Sequence, residues 1–283
     1  MKKIILVILL LAIAGIAGVV RSHTKSTGRG WQLSFNADKH SAGNVREEIR
    51  KTYDLAAGAR VEVSGINGWV KIETSDRNTA DVYIERTGES QEALNRRKIT
   101  IENTATGLTI RSEKGDGSFL SRMLGSNPTE HVTLLLPKRI SLVTNGVNGS
   151  VTSGAIDGSL EVNGVNGKVD IAQASGTAEI NGINGNVSVG LATIGKDGVD
   201  LSGINGNIEL RFSENVNASL VTHGMNGQVS SDLQNVVVNK NSYGSYSAQI
   251  GSGGSSISAN GINGNIRLSR MIVASSAALK GGS

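Results

Sequence analysis

The unit Gly-x-Asn-Gly, with x always Ile, Val or Met, is written into this chain seven times and limits its fold more than any other feature. Its positions are Gly65, Asn67 and Gly68; Gly146, Asn148 and Gly149; Gly164, Asn166 and Gly167; Gly182, Asn184 and Gly185; Gly203, Asn205 and Gly206; Gly224, Asn226 and Gly227; and Gly261, Asn263 and Gly264. From Asn148 to Asn226 successive asparagines are 18, 18, 21 and 21 residues apart. The step to Asn263 is 37, near two such periods, with a Gly/Ser-rich insertion over residues 242–258. The step from Asn67 to Asn148 is 81, near four. A period near 20 is too short for a propeller blade or a helical pair; it suits one coil of a β-solenoid.

Alternation around the unit gives the glycines a purpose. In Leu160-Glu161-Val162 and Lys168-Val169-Asp170-Ile171 the apolar residues take every second place, as strands with one buried face require. Val162 and Val165 lie three apart, which breaks that parity. For both to point inward the chain must turn between them, and Asn163-Gly164 can turn it because Gly and Asn reach positive φ at low cost. Asn166-Gly167 supplies a second such point. A weaker turn, GAIDG (154–158) or QASG (173–176), follows, so each coil has at least two strands and two corners. A lone coil cannot bury its Val and Ile, but stacked coils share a continuous core. Corresponding residues then sit about 4.8 Å apart, and one Asn per coil at the same corner is placed to form an amide ladder. The position after the unit is free to vary: Trp69, Ser150, Lys168, Asn186, Asn207, Gln228 and Asn265.

The N-terminal half uses the same unit more loosely. Tyr53 to Leu55, Arg60 to Val63, Val70 to Glu73, Asp81 to Arg86, Lys98 to Glu102, Leu108 to Arg111 and His131 to Leu136 read as strands. Glu89 to Arg97 reads as a short helix or charged loop, and Gly115 to Thr129 as a loop. At about 20 residues per coil, residues 52–268 hold about ten coils. The loops at 112–130 and 240–256 are the expected variable elements. The division is residues 1–22, a signal peptide or N-terminal membrane anchor; 23–46, an N-terminal segment; 47–268, the strand-repeat solenoid; and 269–283, a C-terminal tail.

Export is read from the first residues. Lys2 and Lys3 precede an apolar run from Ile4 to Val20, a charged n-region followed by an apolar h-region. Ala12-Ile13-Ala14 and Gly15-Ile16-Ala17 fit the small-x-small cleavage rule, while 17 apolar residues sit at the lower limit for a retained span. With no Cys in the chain, disulfide, thiolate and lipoprotein chemistry are excluded. Lys2 and Lys3 are two of 28 basic residues, so 26 face 24 acidic ones in the remainder, and no nucleic-acid footprint is indicated. There are 37 Gly and only 2 Pro, yet the recurring Val and Ile provide a core, which separates this chain from disordered glycine-rich sequences.

The succession of Tyr53-Asp54-Leu55, Gly58 to Trp69 (GARVEVSGINGW), Asp76-Arg77-Asn78 and the later x-Val/Ile-Asn-Gly-x-Val/Ile units resembles the putative-adhesin family, domain of unknown function 4097. The resemblance covers roughly residues 47–268. It implies an exported or membrane-tethered envelope protein with a β-solenoid-like fold, and it carries over no catalytic residues. Family members often place Asp after Asn-Gly; this chain has Trp, Ser, Lys, Asn or Gln there, so an acidic row is not expected at that position.

No catalytic or cofactor constellation emerges from the residues. His23, His40, His131 and His223 are scattered without a zinc-protease helix motif. Neither a nucleophile elbow nor a phosphate loop occurs. Calcium-binding β-roll repeats need Asp between glycines, where this chain has a neutral amide. Glu161, Asp170, Glu179, Asp200 and Glu209 recur on strands, but alternation puts them on the outer face, where a charge row keeps a solenoid soluble. Trp69, on a motif corner, is the one exposed-aromatic candidate for glycan contact, but capping or packing against the N-terminal segment is the role expected first.

The expectation is therefore a non-enzymatic, all-β, exported protein of structural or adhesive role, with no cofactor and no metal. Its partner would be an envelope or surface protein or glycan, with membrane contact only through an uncleaved N-terminus. An envelope-stress sensor or scaffold that self-associates through coil ends is the alternative, and a polysaccharide-active enzyme is a third reading.

Overall fold

The computed structural model describes residues 44–115, 126–234, 236–241 and 244–272. The export segment (1–22), most of the N-terminal segment with His23 and His40, the centre of the 115–129 loop and most of the tail lie outside the described residues.

Alternating sequence becomes strand, and the described chain is all-β with one short helix. Its first half contains β1 (Val45–Asp54), β2 (Ala59–Ser64), β3 (Gly68–Ser75), β4 (Thr79–Gly88), α1 (Gln91–Asn95), β5 (Arg97–Thr104), β6 (Gly107–Lys114) and β7 (Thr129–Pro137). Then come β8 (Ile140–Val147), β9 (Val151–Ile156), β10 (Leu160–Val165), β11 (Val169–Asn181), β12 (Val187–Ser202) and β13 (Ile208–Phe212). The last are β14 (Ala218–His223), β15 (Val229–Ser231), β16 (Val238–Lys240), β17 (Tyr246–Ile250), β18 (Ser255–Asn260) and β19 (Ile266–Arg270). Helix α1 starts where the Ser90 hydroxyl accepts from the Ala93 N–H, and it buries Ala93 and Leu94.

The strands that precede the Gly-x-Asn-Gly unit pair in parallel in the order β6, β2, β8, β10, β11, β12, β18, β14. Those that follow it pair in parallel in the order β7, β3, β9, β11, β12, β13, β19, β15. Each layer thus stacks two strands over two of the next, and in every layer but that of β6 and β7 the two strands are joined at the motif. Parallel pairing keeps the register: Val63, Thr144, Val162, Ile180, Leu201, Ala259 and Thr222 form one buried column. Val70, Val151, Val169, Val187, Ile208, Ile266 and Val229 form another. β-branched aliphatics suit such columns, since each packs on near copies of itself above and below.

Spatial order departs from chain order at both ends. The layer of β2 and β3 is inserted between the layer of β6 and β7 and that of β8 and β9. At the far end the layer of β18 and β19 is inserted between that of β12 and β13 and that of β14 and β15. Antiparallel strands then continue the sheet, with β5 on β6, β4 on β7 and β1 on β4 at one end, and β17 on β14 and β16 on β17 at the other.

These arrangements correct several expectations. Eight parallel layers occur among the described residues rather than about ten coils. The 81-residue step contains antiparallel β4 and β5 and a single extra layer rather than further repeats. The 240–256 region, expected to be a loop, supplies β17 and the start of β18, because Tyr246, Ala248 and Ile250 alternate inward. The QASG stretch is not a turn: β11 runs through it with register shifts against β12, whereas GAIDG does end β9. Among the described residues antiparallel strands flank β6, β7 and β14, while β15 pairs only with β19.

Candidate functional site: the asparagine corner and the face beside it

At the unit of residues 164–167 the first glycine and the second are held for different reasons, whereas Gly65 combines both, a Cβ there falling 2.3 Å from the Ser112 carbonyl oxygen. Gly164 has φ +63° and a Cβ there would come no nearer than 3.6 Å to any atom, so conformation alone selects it. It lets the chain turn between Val162 and Val165, which are 0% and 1% exposed. A Cβ on Gly167 would lie 2.3 Å from the Gly149 carbonyl oxygen of the layer beneath, so close backbone approach selects that one. The remaining first glycines, Gly65, Gly146, Gly182, Gly203, Gly224 and Gly261, share φ between 59° and 72°. The remaining second ones, Gly68, Gly149, Gly185, Gly206, Gly227 and Gly264, share the close approach, with a Cβ 1.9–2.4 Å from a neighbouring carbonyl oxygen.

The seven asparagines make one continuous hydrogen-bonded file. Asn148 Nδ2 donates to Asn67 Oδ1 (2.8 Å), Asn166 to Asn148 (3.0 Å), Asn184 to Asn166 (2.9 Å) and Asn205 to Asn184 (3.1 Å). Asn263 then donates to Asn205 (2.9 Å) and Asn226 to Asn263 (3.0 Å). All six bonds run the same way, so the amide dipoles align and reinforce one another. A second file runs beside it, where Asn163 donates to Asn145 (3.1 Å) and Asn181 to Asn163 (3.3 Å). Beyond the corner, Asn186, Asn207 and Asn265 each accept a backbone N–H, from Asn207, Asn265 and Gln228 respectively.

The first file ends on a carboxylate that sequence reading missed. Asn67 Nδ2 donates to the Pro128 carbonyl, and its backbone N–H donates to Glu130 Oε2 at 3.1 Å. Glu130 is fully buried; Ser112 donates to its Oε1 at 2.6 Å, and Arg97 and Arg86 stand 3.5 and 3.8 Å away. Arg86 is also paired with Glu47 at 2.6 Å and donates to the carbonyls of Leu94 and Arg97. A buried charge is sustained only by such pairing. The one sequence signal was that Glu130 falls in phase with the inward-facing Val132, Leu134 and Leu136 of β7.

Register also builds the outer face. Trp69, Ser150 and Lys168 occupy one rank, and Lys71, Thr152 and Asp170 the next. Trp69 is half-buried and stacks on His131 of the neighbouring layer, with centroids 4.6 Å apart and planes 16° apart. His131 stands 3.9 Å from Glu85 on its far side. Because β9 contributes small residues outward, a shallow trough follows it between two ridges. One ridge carries the Lys71–Glu73 ion pair (2.7 Å) and the other the Lys168–Asp170 pair (2.8 Å). Arg211 reaches back to Asp170 at 3.5 Å and donates to the Ile171 carbonyl.

The recurring carboxylates divide between two faces. Glu161, Glu179 and Asp200 are stacked by the register of β10, β11 and β12, and Asp170 and Glu209 belong to the face with the trough. Asn163 and Asn181 donate to Glu161 and Glu179 at 2.7 and 2.6 Å. His223 occupies the exposed corner position opposite Asn260 and lies far from His131 in chain and layer.

No protein-family model matches this chain, and no curated protein matches it. Among solved structures it is similar to a putative cell adhesion protein from Clostridium sporogenes, at 14% identity over 80% of this chain and 99% of that one, with a TM-score of 0.41. A putative adhesin from Bacteroides fragilis shares 13% identity over 78% and 97%, with a TM-score of 0.37. A putative lipid binding protein from Parabacteroides distasonis shares 12% over 79% and 94%, with a TM-score of 0.22.

Proposed function

We propose that this chain is an exported cell-envelope protein built as a β-solenoid of 18–21-residue coils, and that its role is structural and adhesive, without catalysis. The observation that carries the reading is the register itself. Neighbouring parallel strands are offset by 18 residues at Leu142, Leu160 and Ala178 and by 21 at Ala178 and Val199. Each layer therefore sets its outward side chains over those of the next, giving a rigid, repetitive polar face. The corner keeps Gly-x-Asn-Gly while the outward residue beside it changes from Trp69 to Gln228, so the frame is constant and the display varies. Affinity on such a face is the sum of many modest contacts to an envelope or surface partner. Export is supported by Lys2, Lys3 and the apolar run that follows them.

Two measurements test this. A C-terminal alkaline phosphatase fusion, which gains its disulfides only outside the cytoplasm, should be active; an inactive fusion of equal abundance overturns export. Beads coated with the full-length protein should be retained on surfaces carrying envelope glycans or whole-cell envelopes. Retention no greater than that of uncoated beads overturns the adhesive role.

A further inference from the structure

We propose that the slot over Ser150, adjoining the trough along β9, is a binding site for one pyranose unit of a neutral glycan, with Trp69 as its stacking platform. One face of the Trp69 indole is covered by His131 from the layer of β7. The opposite face looks toward the layer of β9, and the residue in that rank is Ser150, too small to cover it. The next side chain in the rank is Lys168. Trp69 and Lys168 thus flank a slot two layers wide, about 9.6 Å, with Ser150 between them, and the Lys168 ammonium leans to Asp170 at the edge of the trough.

The chemistry of the walls selects the ligand. Each ridge carries a Lys beside a carboxylate, Lys71 with Glu73 and Lys168 with Asp170. Such a pair offers a donor and an acceptor side by side, which suits vicinal hydroxyls, while the C–H face of a sugar ring packs on indole. A peptide strand has nothing to pair with here, because β9 is already bonded to β3 on one side and β11 on the other. A polyanion meets Glu73 and Asp170 as well as Lys71, Lys168 and Arg211, which leaves one net positive charge and little attraction. A bare cation finds both carboxylates already paired with lysine.

This inference rests on the adhesive reading only in taking the face to be open to the cell's surroundings. The chain has two tryptophans, Trp31 and Trp69, so full-length Trp31→Phe protein reports Trp69 fluorescence alone. Titration with maltotriose and with chitotriose should give a saturable change with at least one of them, with Kd in the millimolar range or below. Adding Ser150→Phe fills the slot without altering Trp69, and it should weaken that binding at least tenfold while leaving the thermal midpoint in place. Lys168→Ala should weaken it several-fold. The proposal is overturned if neither sugar shifts the fluorescence at tens of millimolar, or if Ser150→Phe binds as well as its parent. Bead retention distinguishes the two readings: retention unchanged by Ser150→Phe, with no sugar titration, removes the slot and leaves the adhesive face standing. Sugar titration without retention does the reverse.

Discussion

The Asn226 side chain donates to Asn263 at 3.0 Å, so the earlier of the two repeats lies outboard of the later one. After the Asn205 layer the chain leaves a gap, builds the outer layer with β14 and β15, and returns to fill the gap with β18 and β19. The file of amides is unbroken by this exchange, because each asparagine needs only a neighbour one layer away, whatever its place in the chain.

The two glycines of a unit should respond differently to substitution. Gly164→Asn keeps access to positive φ, and its Cβ comes no nearer than 3.6 Å to any atom, so its cost should be under about 1 kcal/mol. Gly167→Ala forces a methyl against the Gly149 carbonyl and should cost about 3 kcal/mol or more, since neither backbone can yield without parting the strands. Lys168→Ala, on the exposed side of the same corner, should be within about 0.5 kcal/mol of the parent. Urea midpoints of the three variants check the order; equal losses at Gly167 and Lys168 would contradict the corner geometry.

Breaking the amide file should cost more in its middle than at its end. Asn184→Ala removes two hydrogen bonds, the one given to Asn166 and the one received from Asn205. Asn226→Ala removes only the bond given to Asn263. At about 0.5–1.5 kcal/mol per bond, the central variant should lose roughly twice as much. Calorimetric unfolding of the pair provides the comparison, and a larger loss at Asn226 would argue against additive laddering.

Thr144 presents a gain. It is fully buried and its hydroxyl has no hydrogen-bond partner, while its column neighbours are Val63 and Val162. Thr144→Val should therefore stabilise the protein by about 1 kcal/mol, seen as a raised thermal midpoint. A lowered midpoint would mean the hydroxyl is satisfied in solution.

Tyr53 should make the protein sensitive to alkali. Burial pushes its phenol up to about 12 from an ordinary value of 10.0. Between those values the unfolded chain loses the proton and the folded one keeps it, so stability is intact below about pH 10 and falls as pH rises toward 12. Tyr53→Phe should flatten that decline. Stability measured at pH 9, 10.5 and 11.5 reads the effect; parallel declines in parent and variant would refute it.

Much of this fold was legible in the chain because its cause is local. Positive φ at Gly164, burial of Val162 and Val165 across a three-residue step, and a 4.8 Å stack that brings like asparagines together all follow from steric and pairing rules acting within about 20 residues. The same locality explains where the reading stopped. Every layer offers nearly the same edge to its neighbour, so nothing in a single repeat says whether Asn205 should be followed in space by Asn226 or by Asn263. Likewise β17 read as loop because Tyr246, Ala248 and Ile250 gain their inward face only by pairing antiparallel with β14. Glu130 showed no partner in sequence, since Arg86, Arg97, Ser112 and Asn67 converge on it from four separate segments. By itself the sequence determined the corner, the strand alternation and the apolar column. The order of the layers, the antiparallel ends, the buried ion cluster and the slot beside Trp69 were decided only by tertiary structure, because each depends on which of several equivalent edges meet.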